Sequence, residues 1–200
     1  MTDVTIVAAT SLEAAAVRRA SPGVRVVNAG IGLARLHGAF LGETVITCGL
    51  AGALVSGIPP GTVLVPATIV RPDGTLAACD PEIVAALTKA ANARGHAPLP
   101  GPIFTSRSLV RGAARAEAAK SGAIAVEMES GLLDVPRLAT IRVVLDTPER
   151  ELSDAWLVPW RAAMSPRAWP QLLWLVRDGP RFARRAAQIV AAALGDLTPS

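Results

Sequence analysis

The apolar positions of this 200-residue chain fall into short continuous runs, divided by glycine, proline and small polar residues. Val4–Ala9 is one such run, and a strand buried on both faces reads this way. Thr10-Ser11 interrupts it, and Leu12–Arg19 follows as a helix with Thr10 or Ser11 as its N-cap. Pro22-Gly23 is a turn and Val24–Asn28 a second strand; Gly30 and Gly32 form a loop before a helix over Leu33–Leu41. Thr44–Cys48 is a third buried strand, ended by Gly49-Leu50-Ala51-Gly52. After the turn Pro59-Pro60-Gly61, a strand covers Thr62–Val70. Asp80 and Pro81 place a cap and then a first-turn proline at the head of a helix that runs through Ala91. Pro98–Pro102 is a linker, Ile103–Ser106 a strand and Ala113–Ala119 a helix. Ala123–Val126 is a strand leading into Glu127-Met128-Glu129 and another helix, and Ile141–Leu145 is a last strand ending at Asp146. Alternation of strand and helix predicts an α/β fold with a mostly parallel or mixed sheet covered on both faces.

Composition narrows the class. Apolar residues make up 51% of the chain, enough for a large core, which excludes disorder as the dominant state. With three Phe, four Trp and no Tyr, that core must be aliphatic. The length suits one domain over residues 1–200. The net charge is +4, and only Lys89 and Lys120 among the basic residues are lysine. The arginines are dispersed and no nucleic-acid-binding signature accompanies them, so nucleic acid is not an expected partner. Cys48, Cys79, His37 and His96 have no metal or redox spacing, which excludes a structural zinc. Gly30-Ile31-Gly32 lacks the third glycine of a dinucleotide fingerprint, since Arg35 stands there, so no metal or organic cofactor is expected. No apolar run approaches the roughly 20 residues of a membrane span, and the N-terminus does not read as a signal peptide. A cytoplasmic protein with reduced thiols is the expectation.

Ligands of parallel α/β sheets bind beyond the carboxyl ends of the strands. The residues at those ends here are Glu13, Gly30-Ile31-Gly32, Gly49-x-x-Gly52, Glu127-Met128-Glu129 and Asp146. Each has an ordinary structural use. Glu13 suits the positive end of a helix, the glycines suit tight turns, Glu127 and Glu129 suit a solvated helix start, and Asp146 before Thr147-Pro148 suits a turn. Three strand ends with carboxylates and two with glycine turns nonetheless form an unusual concentration of site-like residues.

Taken in order, these segments resemble the nucleoside phosphorylase and nucleosidase superfamily. The resemblance covers about residues 3 to 150 and is most specific at Thr47-Cys48-Gly49-Leu50-Ala51-Gly52-Ala53-Leu54 and Ala125-Val126-Glu127-Met128-Glu129. It implies a three-layer α/β/α fold with a central mixed sheet, cleavage of a ribose–base bond and a homodimer. It also implies roles. Asp146 would be the general acid at the purine, Glu13 would position or deprotonate water, Glu129 would accept from the ribose hydroxyls, and Met128 would pack under the sugar. Glu127, Gly32, Ala51 and Gly52 would belong to the substrate site, and Leu109 and Val110 would line the base. Phosphorolytic relatives carry a glycine-rich turn with an arginine after the first strand. Ala8-Ala9-Thr10-Ser11-Leu12-Glu13 puts an acid there instead, which favours water over phosphate. The chain departs from its relatives at Leu145, where serine is usual, and at Thr105–Leu109, which lacks their Gly-Asp and phenylalanine.

Beyond Arg150 the character changes. Trp156, Trp160, Trp169 and Trp174 all lie there, accompanied by Arg161, Arg167, Arg177, Arg181, Arg184 and Arg185. Tryptophan with arginine suits a membrane–water interface or an amphiphilic ligand; a core helix or a dimer face is the other reading. The segment Trp169–Asp178 resembles that of hopanoid-associated members of the superfamily. That resemblance implies release of adenine from adenosylhopane, leaving ribosylhopane, with possible peripheral membrane contact through residues 155–200. The alternatives are a futalosine hydrolase, a methylthioadenosine/S-adenosylhomocysteine nucleosidase, a phosphorolytic purine nucleoside phosphorylase, or a non-catalytic nucleoside- or lipid-binding protein.

Overall fold

The computed structural model describes residues 4–36, 38, 40–153 and 169–197. Nine strands form one mixed sheet: β1 (Val4–Ala8), β2 (Arg25–Asn28), β3 (Thr44–Ala53), β4 (Val63–Leu64), β5 (Thr68–Val70), β6 (Leu76–Ala78), β7 (Ile103–Thr105), β8 (Ala125–Glu127) and β9 (Arg137–Asp146). The helices are α1 (Ser11–Ala20), α2 (Pro81–Ala93), α3 (Ala113–Ala119) and α4 (Trp169–Leu197). The sheet order is β2-β1-β3-β8-β7-β5-β6, with β9 on the other edge of β3 and β4 paired to β9. This is the expected α/β architecture.

The ten-residue β3 organises the sheet. Its first half pairs in parallel with β1, from Val4↔Thr44 to Val7↔Thr47. Its end pairs antiparallel with β8 at Gly52↔Val126 and Ala53↔Ala125. Between these, Cys48–Ala51 is paired only on the β9 side. That opening, where β1 has left and β8 has not yet joined, is a switch point in the topology and lies at the floor of the cavity described below.

The long α4 packs on α1, α2, β3 and β9, while α1 also lies on β1 and β2 and α2 on β9. On α4, Phe182, Ala183, Ala186, Ala187, Val190 and Ala193 are buried at helical spacing. Burial of Phe182 alone contributes about 2–3 kcal/mol. Beneath α3, a second cluster of Leu54, Val70, Val110, Ala123 and Val126 packs against Ala118 and Ala119. Trp174 belongs to the main core and carries the Arg150 guanidinium 4.0 Å above its ring, so it does not face an interface. Trp156 and Trp160 lie outside the described residues.

Several boundaries differ from expectation for local reasons. Among the described residues of 33–41 there is no α-helix. One 3-10 turn, Ile31–Leu33, takes its place, and the left-handed φ of 61° at Leu33 ends it. The third strand does not stop at Gly49 but continues to Ala53. The Thr62–Val70 segment divides into β4 and β5 around Pro66, which has no N–H for the ladder. The helix expected after Glu129 is a single 3-10 turn, Ser130–Leu132, closed by extended Leu133. The hairpin β5–β6 around Pro72-Asp73-Gly74 was not anticipated.

Asp80 ties α2 to β9. It accepts from the Glu82 and Ile83 amides at the head of α2 and pairs with Arg137 Nε at 2.6 Å. The Arg137 hydrogen bond, followed by those amides, holds its carboxyl below the usual aspartate range. Asp80→Ala is expected to lower stability by about 1–2 kcal/mol, measured by urea denaturation at pH 7. The sign follows from the depressed value. The contribution is complete above about pH 4 and is lost as pH falls through the folded value, so the difference between the two proteins narrows in acid.

Candidate active site

A cavity of about 180 Å³ opens at the carboxyl ends of β1, β3, β8 and β9. Glu13, Ala51, Gly52, Glu127, Met128, Glu129 and Asp146 line it, and Leu109 and Val110 close one side. Gly32 is not among the lining residues; its backbone N–H donates to Glu129 Oε1 at 3.0 Å and so holds that side chain in place.

Glu13 is fixed by three donors. Thr10 caps α1, and Glu13 answers from the third position, accepting from Thr10 N at 2.8 Å and Thr10 Oγ1 at 2.7 Å on Oε2. Its Oε1 accepts from Leu50 N at 2.8 Å, at the stretch of β3 that neither β1 nor β8 pairs. A carboxylate offers about four lone-pair sites; these bonds use one on Oε1 and two on Oε2. The remaining site on Oε1 is free for a further donor.

The acidic pair at the end of β8 and just beyond it divides into two unlike groups. Glu127 is saturated. It accepts from Thr105 Oγ1, from the Glu129 amide at 3.0 Å, from Ser130 N and Oγ at 2.9 Å, and from Arg142 Nη2 at 2.5 Å. Burial would raise its carboxyl, but Arg142, Thr105 and the Ser130 amide together bring it below the usual range. Glu129 holds only the Gly32 amide closely, with Met128 N at 3.4 Å and Arg142 at 3.5 Å. Burial first, and then the charge of Glu127, push its carboxyl up to about 7 against the pull of Arg142.

Asp146 reaches the cavity through a bulge. Opposite β3 the register runs Ala51↔Val144 and then Gly52↔Asp146, leaving Leu145 as the extra residue. Asp146 therefore lies across from Gly52. A Cβ there would stand 2.7 Å from Asp146 Oδ1. Gly49 is the counterpart for Glu13, whose Oε1 occupies the space a Cβ would need. The two glycines end no strand; they admit two carboxylates against one strand, at backbone positions roughly 10 Å apart.

Two arginines that the sequence reading assigned no role complete the arrangement. Arg142, on β9, pairs with Glu127 and Glu129. Arg115, on α3, pairs with Asp146 Oδ2 at 2.5 Å. A charged residue inside the apolar run Thr140–Leu145 was a signal for the first; nothing local marked the second. Burial pushes the Cys48 thiol up to about 12, which leaves it a neutral packing group. Among the described residues no cluster of His, Cys, Asp or Glu could hold a metal ion.

Comparison with known proteins now adds the lineage. Residues 10–133 match the phosphorylase superfamily, and the chain belongs to it. No curated protein is significantly similar. Solved structures share the fold at low identity. They include the S-adenosylhomocysteine nucleosidase of Streptococcus pyogenes in complex with 5-methylthiotubericidin, at 18% identity and TM-score 0.76 over 98% of this chain and 97% of that one. A 5′-methylthioadenosine/S-adenosylhomocysteine nucleosidase from S. pneumoniae is 22% identical, with TM-score 0.72 over 98% and 99%. The native futalosine hydrolase of Helicobacter pylori is 17% identical, with TM-score 0.73 over 96% and 97%.

The unusual carboxyl of Glu129 can be measured in the unliganded protein. Its folded value is raised, so the wild type loses stability as pH climbs from about 4.3 to about 7. Glu129→Gln retains an acceptor for Gly32 but does not titrate. Denaturation at pH 5 and pH 8 is expected to show the variant gaining on the wild type at the higher pH, by on the order of 2 kcal/mol. An unchanged difference would mean that Glu129 titrates normally.

Proposed function

We propose that the chain is a nucleosidase that hydrolyses the N-glycosidic bond of a purine nucleoside. The observation that carries this reading is the placement of two fixed carboxylates, Glu13 and Asp146, on one cavity, each in a slot left by a glycine of β3. The free site on Glu13 Oε1 would hold the attacking water and take its proton. Glu129, with most of its accepting capacity unused, would bind the ribose hydroxyls, and Met128 would lie under the sugar. Glu127 would anchor the loop and not touch substrate. Asp146 would give a proton to the purine as the bond to C1′ breaks. The water oxygen then forms the new bond to C1′, and the bonding pair leaves with the base.

Water is favoured over phosphate by charge. The lining residues beside Glu13 are Ala9, Thr10, Ile31 and Leu50, without a cation, and the carboxylate would repel an incoming anion. Among the described lining residues Arg115 is the one cation, and it is committed to Asp146.

The finer reading is adenosylhopane as substrate, with adenine and ribosylhopane as products. Its support is the resemblance of Trp169–Asp178 to hopanoid-associated members and a set of exposed apolar side chains. Ile31 at the cavity and Leu12 beside Glu13 are about 40% exposed, and Leu173 and Val176 on α4 are 82% and 64% exposed. No helix among the described residues is long and apolar enough to cross a membrane, so contact with a lipid tail would be peripheral.

Release of the free purine base followed by chromatography is the test (adenine from adenosylhopane in detergent micelles or from 5′-methylthioadenosine, hypoxanthine from futalosine), with and without phosphate. Release from adenosylhopane without phosphate is expected. Release that requires phosphate would make the enzyme a phosphorylase; release only from 5′-methylthioadenosine would remove the lipid-linked substrate. Cleavage of futalosine alone would do the same. Asp146→Asn is expected to lower kcat by a hundredfold or more, on the order of the contribution of a general acid, while substrate still binds. Undiminished turnover would reject Asp146 as the acid.

A further inference from the structure

Arg115 is the most fully engaged cation of the site, and its pairing explains how an acid can work from this position. Its side chain is 3% exposed. Nη1 donates to the Ala53 carbonyl at the end of β3, Nε donates to Glu151 Oε1 at 3.1 Å, and Nη2 donates to Asp146 Oδ2 at 2.5 Å. Glu151 is itself held by the Gly112 amide at 2.7 Å, and its carbonyl accepts from Gln171 Nε2 at 3.0 Å. The guanidinium is thus locked by β3, by the segment after β9 and, through Gln171, by α4. Burying such a group costs several kcal/mol unless its charge is matched, and the Glu151 carboxylate matches it.

We infer that Arg115 is a positioning residue for the general acid: it claims Asp146 Oδ2, so the transferable proton resides on Oδ1 beside Gly52, and it takes up the negative charge left when that proton goes to the base. This deepens the nucleosidase reading and rests on it. The step balances without another reactant. The Oδ1–H bond breaks, an N–H bond forms on the purine, the C1′–N bond breaks with its electron pair going to the base, and Arg115 keeps its own protons. A fixed donor aimed at an oxygen where charge develops acts in the transition state more than in the ground state. Leu152 N, 3.4 Å from the same Oδ2, adds a weaker donor on that side.

The test compares Arg115→Met, Arg115→Lys, Asp146→Asn and the double variant Arg115→Met/Asp146→Asn, on whichever nucleoside the wild type cleaves. Arg115→Met is expected to lower kcat about a hundredfold with KM changed less than about threefold, and Arg115→Lys is expected to recover part of the loss. In the Asp146→Asn background, Arg115→Met is expected to cost little more, because its effect passes through Asp146. Should Arg115→Met not fold, Arg115→Ala with added guanidinium chloride at millimolar concentration replaces it, and partial recovery of kcat is the supporting result. The inference is overturned by a wild-type kcat in Arg115→Lys and Arg115→Met, by equal losses in the presence and absence of Asp146, or by no recovery with guanidinium. A wild-type protein that releases base from no nucleoside would instead defeat the nucleosidase reading, and this inference with it.

Discussion

The buried pair of Glu127 and Arg142 is the constraint on which the site is built. One end belongs to β8 and the other to β9, and both side chains are all but inaccessible. Removal of either partner would leave an uncompensated charge, a change that typically costs several kcal/mol. The pair does more than hold the strands. It folds the loop over Glu127 through the Glu129 and Ser130 amides, and so turns Glu129 toward the cavity. Burial first, and then the Glu127 carboxylate, leave Glu129 unusually ready to bind a proton, while Arg142 pulls the other way.

The remaining chemistry follows from backbone irregularities of β3 and β9. A regular register would pair Asp146 with Ala53, whose methyl would occupy the slot. The bulge at Leu145 moves it to Gly52 instead. Glu13 reaches the strand only because Gly49 lacks a side chain and because the Leu50 amide has no strand partner on that edge. An interruption in pairing, a bulge and two glycines thus accommodate two carboxylates. Each device weakens the sheet locally, and the long β3–β9 ladder beside them makes up the loss.

The acids of the site were legible because strand ends in α/β chains carry function and because carboxylates stand out in apolar surroundings. Thr10 and Asp80 were legible as caps, since capping chemistry is local. The glycines were seen but misread: a Gly-x-x-Gly run after an apolar strand reads as a turn, and only the packing of Glu13 and Asp146 against it shows why the strand continues. Glu127 and Glu129 are indistinguishable by spacing, yet one is saturated and the other open, a difference made by Ser130, next in the chain, and by Thr105 and Arg142 from two other strands. Arg115 lay among alanines in a short helix, 31 residues from its partner. The Pro72-Asp73-Gly74 turn was a readable hairpin signal; the strands it joins are too short to show alternation.

The capping box at the start of α1 gives Glu13 a second occupation. The same carboxylate that faces the cavity completes the helix cap and satisfies an otherwise unpaired strand amide. Catalytic groups are commonly a strain on the folded chain, and their removal is often tolerated or even stabilising. In the proposed role Glu13 would reverse that relation. Its loss would undo the helix start and the strand edge along with the proposed reaction, because one side chain secures all three.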